Sequence, residues 1–307
     1  MDLSTLDILK KGQIAVACND AGAANIIINW LKFMPEVTFR VHLGGPAEAL
    51  WCRAFPGTIN YGLDDAINGS SMLLSGTGWA TSLEHNARYR ASNKGIFSVA
   101  VIDHWVNYES RFFRNGLFIY PDQIWVVDKY GYDLAKSVFS DQVIKLMPNY
   151  YLDEQVRQIK EFEKTFLRNT EKKNILYALE PIRVSWKHDE VIAGEFQALD
   201  YFASNLRDIS MVPINIRLRP HPSDNPGKYD DWVEQQNLDA KIDISEGTPL
   251  FEDVAWSDIV VGCQTYVLII GLTAGKRSIS CLPPYAPDSL LPYPEIEEFR
   301  KKTKVLI

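Results

Sequence analysis

The sequence predicts an α/β chain built from two successive doubly wound units, each a parallel sheet covered by helices on both faces. Three observations predict it. Short apolar runs alternate with helically spaced segments along both halves, which is the pattern of strands buried on both faces. The rhythm breaks once, across a charged stretch at 152–168 and a polar run at 169–174, and then restarts. With 307 residues the chain can hold two ordinary domains, expected over 1–168 and 169–307. A single continuous sheet is the alternative.

Strands are expected in the first half at 14–18, 38–43, 58–61, 72–75, 96–102, 123–127 and 143–146, with helices at 24–33, 81–93 and 130–139. In the second half the strands fall at 175–179, 213–218, 241–244, 258–261 and 277–281. Helices at 189–205, 230–236, 250–255 and 265–274 fill the gaps, and 295–302 reads as a last helix.

Hydrophobic residues at 46% and charged ones at 23% are the composition of a globular protein. A net charge of −7 argues against a general nucleic-acid binder, because neutralising phosphates needs a basic surface. Residues 1–11 lack the apolar core of a secretory signal, and no run is long and apolar enough to span a bilayer. Cys18, Cys52, Cys263 and Cys281 are scattered without zinc spacing and read as buried free thiols, so the cytoplasm is the expected address.

In open parallel sheets ligands bind outside the carboxyl ends of the strands, so the loops that follow strands carry the functional reading. After the strand at 213–218 comes Arg219-Pro220-His221-Pro222-Ser223. Its prolines fix the backbone and keep Arg219 extended, leaving Arg219 and His221 as candidate phosphate ligands. A solvated surface turn is the plainer reading. After 258–261 comes Gly262-Cys263-Gln264-Thr265, where Gly262 permits close backbone approach and Thr265 suits an N-cap. The free N–H groups of the next helix would suit an anion, and an ordinary capped helix is the plainer reading. Glu246, in the loop after 241–244, has the chemistry to bind ribose hydroxyls.

Three loops of the first half are similarly placed. Asn19-Asp20-Ala21-Gly22 follows the first strand but lacks the three-glycine dinucleotide fingerprint. Ser75-Gly76-Thr77-Gly78-Trp79, with Glu84 opening the next helix, offers small residues and a flat apolar ring to a sugar. Asp103-His104-Trp105 with Asn107, Tyr108 and Arg111 is a dense polar and aromatic set, for which a buried structural network is the alternative.

Arg219-Pro220-His221-Pro222, the segment 250–262 and Gly275-Lys276-Arg277 resemble the carboxyl half of GT-B glycosyltransferases. They are most similar to bacterial sialyltransferases and related enzymes using CMP-activated acidic sugars, and to CDP-glycerol transferases. The resemblance spans roughly 213–282. It implies two Rossmann-like domains facing a cleft, with His221 and Thr265 contacting the donor phosphate and Gln264 as a neighbour. Arg219, Pro222, Glu246 and Gly262 complete the expected nucleotide side. Two departures stand out. The helical Glu that holds the ribose in many GT-B enzymes falls near Ile270 and Gly271 here, and a doubled serine is replaced by Gln264-Thr265.

The expected activity is transfer of a sugar from a nucleotide-activated donor to a glycan or glycolipid hydroxyl, inverting, without metal or cofactor. The donor is expected to be a CMP-linked sialic-acid-like or Kdo-like sugar. Such transfer needs a group to take the acceptor's proton and donors to stabilise the leaving phosphate. Asp20 or Asp103 is the candidate base, with His104 as partner or replacement. Gly76, Thr77, Trp79, Glu84, Asn107 and Tyr108 are candidate acceptor contacts. A UDP-sugar 2-epimerase of the same fold and a non-catalytic nucleotide-sugar-binding protein are the alternatives. Lys301, Lys302 and Lys304 form a basic tail that offers a peripheral membrane contact, or only a solvated terminus.

Overall fold

Two six-stranded, all-parallel sheets organise the chain, one in each half. The computed structural model describes residues 3–165, 171–187 and 191–303. The linker positions 169–170, the start of the helix expected at 189 and Lys304 lie outside the described residues.

The first unit runs β1 (Ile14–Cys18), α1 (Ala21–Phe33), β2 (Phe39–Leu43), α2 (Gly45–Ala54), α3 (Leu63–Ile67), β3 (Met72–Ser75), α4 (Leu83–Asn93) and β4 (Phe97–Ile102). A hairpin of β5 (Phe113–Arg114) and β6 (Leu117–Phe118) precedes β7 (Gln123–Val126), α5 (Lys129–Val138) and β8 (Val143–Leu146). The sheet order is β2-β1-β3-β4-β7-β8. Every residue of β1 and β3 is buried, because helices cover both faces. Trp30, Trp51 and Trp125 fill one face, with the rings of Trp30 and Trp125 edge to face at 5.4 Å.

The strand expected at 58–61 does not form. Only Asn60 bridges to Val41, and its side chain takes over the pairing by bonding both N and O of Leu43. Cys52 is exposed on α2, whereas Cys18, Cys263 and Cys281 are buried free thiols.

In the second unit the order is α6 (Tyr150–Glu163), β9 (Lys173–Ala178), α7 (Gly194–Ser204), α8 (Leu206–Ile209), β10 (Ile214–Arg219), α9 (Asp230–Gln235) and β11 (Ala240–Ile244). It continues with α10 (Leu250–Trp256), β12 (Ile259–Gly262), α11 (Tyr266–Thr273), β13 (Arg277–Ser280), β14 (Glu297–Glu298) and α12 (Phe299–Thr303). The sheet order is β11-β10-β9-β12-β13-β14. Tyr177, Phe202, Tyr229 and Phe299 lie in its core. The last helix begins later than its sequence pattern suggests. Arg277 grips Glu297 with bonds of 2.7 and 3.0 Å, and that residue pairs with Ile279 as a strand.

The chain divides between Tyr151 and Leu152, earlier than the polar run at 169–174. The cause is the packing of α6. Past its first turn the helix is tied to the second unit, with Phe162 against Phe251 at 5.9 Å and Glu163 accepting from buried Lys276 at 2.5 Å. Among the described residues no helix is long and apolar enough to cross a membrane.

Candidate functional site

Each sheet reverses its strand order once, between β1 and β3 in the first unit and between β9 and β12 in the second. The crevice at the carboxyl end of such a reversal is where doubly wound sheets bind ligands. Both crevices are polar, and they are built from opposite chemistry.

In the first unit the crevice is lined with acids. Asp20 leaves β1 in extended backbone and caps α1, one carboxylate oxygen accepting from Ala23 N at 3.1 Å. Glu84, in the first turn of α4, is wholly buried and accepts from Asn19 N at 2.7 Å through Oε1. Its Oε2 is buried without a hydrogen bond. Asp103 emerges from β4 and is met at 3.1 Å by Arg111, whose guanidinium is itself buried. Three glycines make room for these groups. A Cβ on Gly22 would collide with Asp103 Oδ2, and one on Gly78 would lie 2.5 Å from Asp20 Oδ2 and 3.2 Å from Glu84 Oε1. A Cβ on Gly76 would lie 3.2 Å from Glu84 Oε1.

Among the described residues no Lys or Arg pairs directly with Asp20, though the Arg111 charge acts on it. Burial, followed by the nearby charges of Asp103 and Glu84, pushes its carboxyl up to about 7. Burial likewise raises the carboxyl of Glu84 and lowers the imidazolium tendency of His104. His104 Nδ1 accepts from Trp105 N at 3.0 Å, so the neutral ring carries its proton on Nε2 and presents a donor there. Asp20 thus lies beside Asp103, which is held by Arg111.

The residues expected to touch an acceptor separate into two groups. Trp79 is 48% exposed, with the Arg111 guanidinium 4.9 Å from its ring centroid, and Asn107 is exposed at a positive φ of 59°. Thr77, Glu84 and Tyr108 are closed off from solvent, and Gly76 is buried with them. Thr77 donates to Val101 O at 2.9 Å and accepts from Arg111 at 3.0 Å, and Tyr108 donates to Gly131 O at 3.3 Å. Thr77 and Tyr108 are thus bonded within the unit, while Glu84 keeps Oε2 without a hydrogen bond.

Arg88 escaped the sequence reading. Fully buried in α4, it donates to Gly76 O at 3.0 Å, Arg111 O at 3.2 Å and Ile119 O at 3.3 Å. Burial lowers its guanidinium to about 10. Its spacing of four from Glu84 on one helix face was the available signal.

The second crevice collects N–H donors. Thr265 caps α11, accepting from Val267 N at 3.3 Å, and Gly262 lets the turn close against β9. A Cβ on Gly262 would meet Thr265 Cγ2 at 2.7 Å and Ala178 O at 3.0 Å. The donors, however, are taken. Cys263 N and Gln264 N both give 2.8 Å bonds to one oxygen of Glu180, which follows β9. Gln264 uses its side-chain oxygen to accept from Leu290 N at 3.3 Å. Ile270 and Gly271 are buried in α11, a Cβ on Gly271 meeting Val260 Cγ2 at 2.8 Å, which leaves no place there for a ribose-binding acid.

Arg219 is likewise engaged. It bonds Thr248 O at 2.8 Å and pairs with wholly buried Asp253, which also accepts from Arg217 at 3.0 Å and Ser245 at 2.6 Å. Arg219 itself stays 24% exposed, so the expected phosphate ligand is shared with Asp253 rather than free. His221 and Pro222 are exposed, as is Glu246 in the loop after β11. His221 Nδ1 accepts from Ser223 N at 3.1 Å, so the neutral ring offers Nε2–H outward. Its backbone is anchored by Asp224, accepting from His221 N at 3.0 Å. Burial works against the charge of Asp224, yet bonds from Arg183, Lys228 and Tyr229 hold its carboxyl down at about 2. Glu195 shares Arg183, at 2.7 Å, and Lys228 in the same network.

A recess of about 570 Å³ opens elsewhere, at the amino ends of β10 and β11, lined by Leu206, Met211, Ile214 and Leu238. It is far along the strands from either reversal and holds none of the residues above. Among the described residues no group of His, Cys, Asp and Glu is arranged to hold a metal ion.

No family model matches the sequence, and no curated protein does. Solved structures match its fold. A Listeria monocytogenes protein assigned as a UDP-N-acetylglucosamine 2-epimerase aligns over 87% of this chain and 78% of its own, with a TM-score of 0.58 and 11% identity. The UDP-GlcNAc 2-epimerase of Neisseria meningitidis, bound to UDP-GlcNAc, aligns over 87% and 82%, with a TM-score of 0.52 and 12% identity. MurG of Acinetobacter baumannii aligns over 89% and 79%, with a TM-score of 0.52 and 10% identity. The chain thus has the α/β fold of two Rossmann-like, doubly wound units found in these GT-B proteins.

Proposed function

We propose that the protein is a glycosyltransferase that moves a sugar from a nucleotide-activated donor to a hydroxyl of a glycan or glycolipid. The observation that carries this reading is Asp20: an acid at the β1/β3 reversal, paired directly with no Lys or Arg among the described residues, whose carboxyl is pushed up to about 7. Such a group is about half in its basic form at neutral pH, matched to taking up a proton there. In the proposed step the acceptor oxygen bonds the anomeric carbon as the bond to the nucleotide phosphate breaks, and the acceptor's proton passes to Asp20. One displacement of this kind inverts the anomeric centre. Asp103, set by Arg111, fixes the field around Asp20, and Trp79 offers its exposed ring to a sugar.

Nucleotide binding is assigned to the second unit, with Nε2–H of His221 as a donor to phosphate. The similarity of its His-Pro segment to CMP-sugar transferases favours a CMP-linked acidic sugar. The proposed setting is the cytoplasm, with the acceptor reached at a membrane face. The reading needs no metal or cofactor.

Thermal stabilisation by CMP, CDP, UDP, GDP and ADP, without metal, tests it. A nucleotide at a hundred times its dissociation constant adds about 2.7 kcal/mol. A CMP-selective shift cut by about half in His221→Ala, as a tenfold weaker affinity requires, supports the full proposal. A UDP-selective shift keeps the transferase and replaces the donor, and no shift with any nucleotide sinks it. Conversion of a nucleotide sugar to its epimer without acceptor would instead identify an epimerase.

A further inference from the structure

We propose that the β5–β6 hairpin of the first unit is a membrane-docking element: its exposed apolar side chains enter the interface of a lipid bilayer, and Arg114 meets a lipid phosphate beside them. This deepens, and rests on, the reading of a glycolipid acceptor reached at a membrane face.

The hairpin stands outside both six-stranded sheets. Its strands set Phe113 opposite Phe118 and Arg114 opposite Leu117, and Asn115-Gly116, both at positive φ, close the tight turn between them. Side chains alternate between the faces of such a ribbon, so the two phenylalanines share one face, their ring centroids 4.7 Å apart. Tyr120 extends that face, stacked on Phe118 at 5.7 Å. These groups are not spent on a core: Phe113 is 39% exposed, Phe118 50% and Leu117 54%. Exposed apolar side chains gathered around one turn mark a contact surface. Three of them fall well short of the roughly 800 Å² per partner of a stable protein interface, and suit shallow, reversible insertion into lipid.

Charge identifies the occupant. Among the described residues no acid pairs with Arg114, and its Nη2 is buried without a hydrogen bond. Nη1 bonds only the carbonyls of Ser110, at 3.4 Å, and Phe113, at 2.9 Å, both in its own loop. Turning toward a phosphate therefore breaks no ion pair and gives the orphaned nitrogen an acceptor. His85 Nδ1 is likewise buried without a partner, and the charges acting on that ring are those of Arg88 and Arg114, both positive. A cation next to an apolar tip matches an anionic lipid surface, with phosphate outside and hydrocarbon within. The hairpin also adjoins the first crevice. Two residues before it, Arg111 bonds Asp103 at 3.1 Å and lies 4.9 Å from the Trp79 ring centroid.

The test is cosedimentation of the full chain with vesicles of phosphatidylcholine, and of phosphatidylcholine mixed equally with phosphatidylglycerol. The wild type is expected to bind the mixed vesicles. Leu117→Ser combined with Phe118→Ser should weaken that binding by about tenfold or more, because apolar area that enters lipid is lost. Both positions are exposed, so the double variant should melt with the wild type. Arg114→Gln should cost about fivefold on the mixed vesicles and nothing on phosphatidylcholine alone. A wild type that stays in solution, or a double variant that sediments equally well, overturns the proposal. So does a wild-type dimer that the double variant abolishes, which would give the face to a second copy. Vesicle binding by a protein that no nucleotide stabilises would uphold the docking hairpin and reject the transferase reading.

Discussion

The two strand-order reversals occupy equivalent places in their sheets and differ in what they do with charge. At β1/β3 three acids crowd around glycines with one arginine among them, and the acid left over, Asp20, keeps its proton to about pH 7. At β9/β12 the backbone offers donors instead, and a single acid, Glu180, fills them. The same topology therefore yields a site that takes protons and a site shaped for anions. What separates them is whether the turn presents side-chain oxygens or backbone N–H groups.

The comparison breaks first at Asp20. Asp20→Asn should lower turnover by roughly 10²–10⁴-fold while leaving nucleotide-induced stabilisation intact. Full turnover in that variant would remove the base and with it the asymmetry between the sites. Arg111→Ala comes next. It leaves Asp103 facing Asp20 without its buried partner, and denaturant unfolding should show a loss of about 3 kcal/mol at neutral pH.

A third test is shared by both crevices. Asp20 and Glu180 each hold a proton more tightly when folded, their carboxyls raised to about 7 from 3.8 and 4.5. The stability these two groups contribute is greatest below about pH 4, falls as pH rises toward 7 and levels off above it. Glu180→Gln should flatten part of that fall, gaining up to about 2 kcal/mol over the wild type between pH 5 and 8. A parallel pair of pH curves would mean that Glu180 stays charged throughout. His221→Ala should be the mildest, weakening nucleotide binding by about tenfold without moving stability, as suits an exposed donor.

The sheets could be read from the chain because their strands are buried on both faces, which writes them as apolar runs such as Ile14–Cys18. Asp20 and Asp103 are visible for a related reason: Asp103 is the first polar group beyond such a run and Asp20 the second, after Asn19. The segment 58–61 misled because β-favouring side chains say nothing about whether a neighbouring edge is free, and there the Asn60 amide does the pairing. Glu180 left no local trace. Its partners lie at 263 and 264, and only folding brings them to it. Arg219 shows the converse, an attractive loop arginine whose charge is spent on Asp253.

Arg88 has a consequence for how the first unit assembles. Its guanidinium has no buried carboxylate bond and is satisfied by carbonyl oxygens at Gly76, Arg111 and Ile119, three separate stretches of chain. A bare arginine cannot enter a dry interior ahead of its acceptors. The loop after β3 and the 109–119 region are therefore energetically coupled through this one side chain. In native-state hydrogen exchange the loop after β3 and the 109–119 region should open as one cooperative block rather than separately.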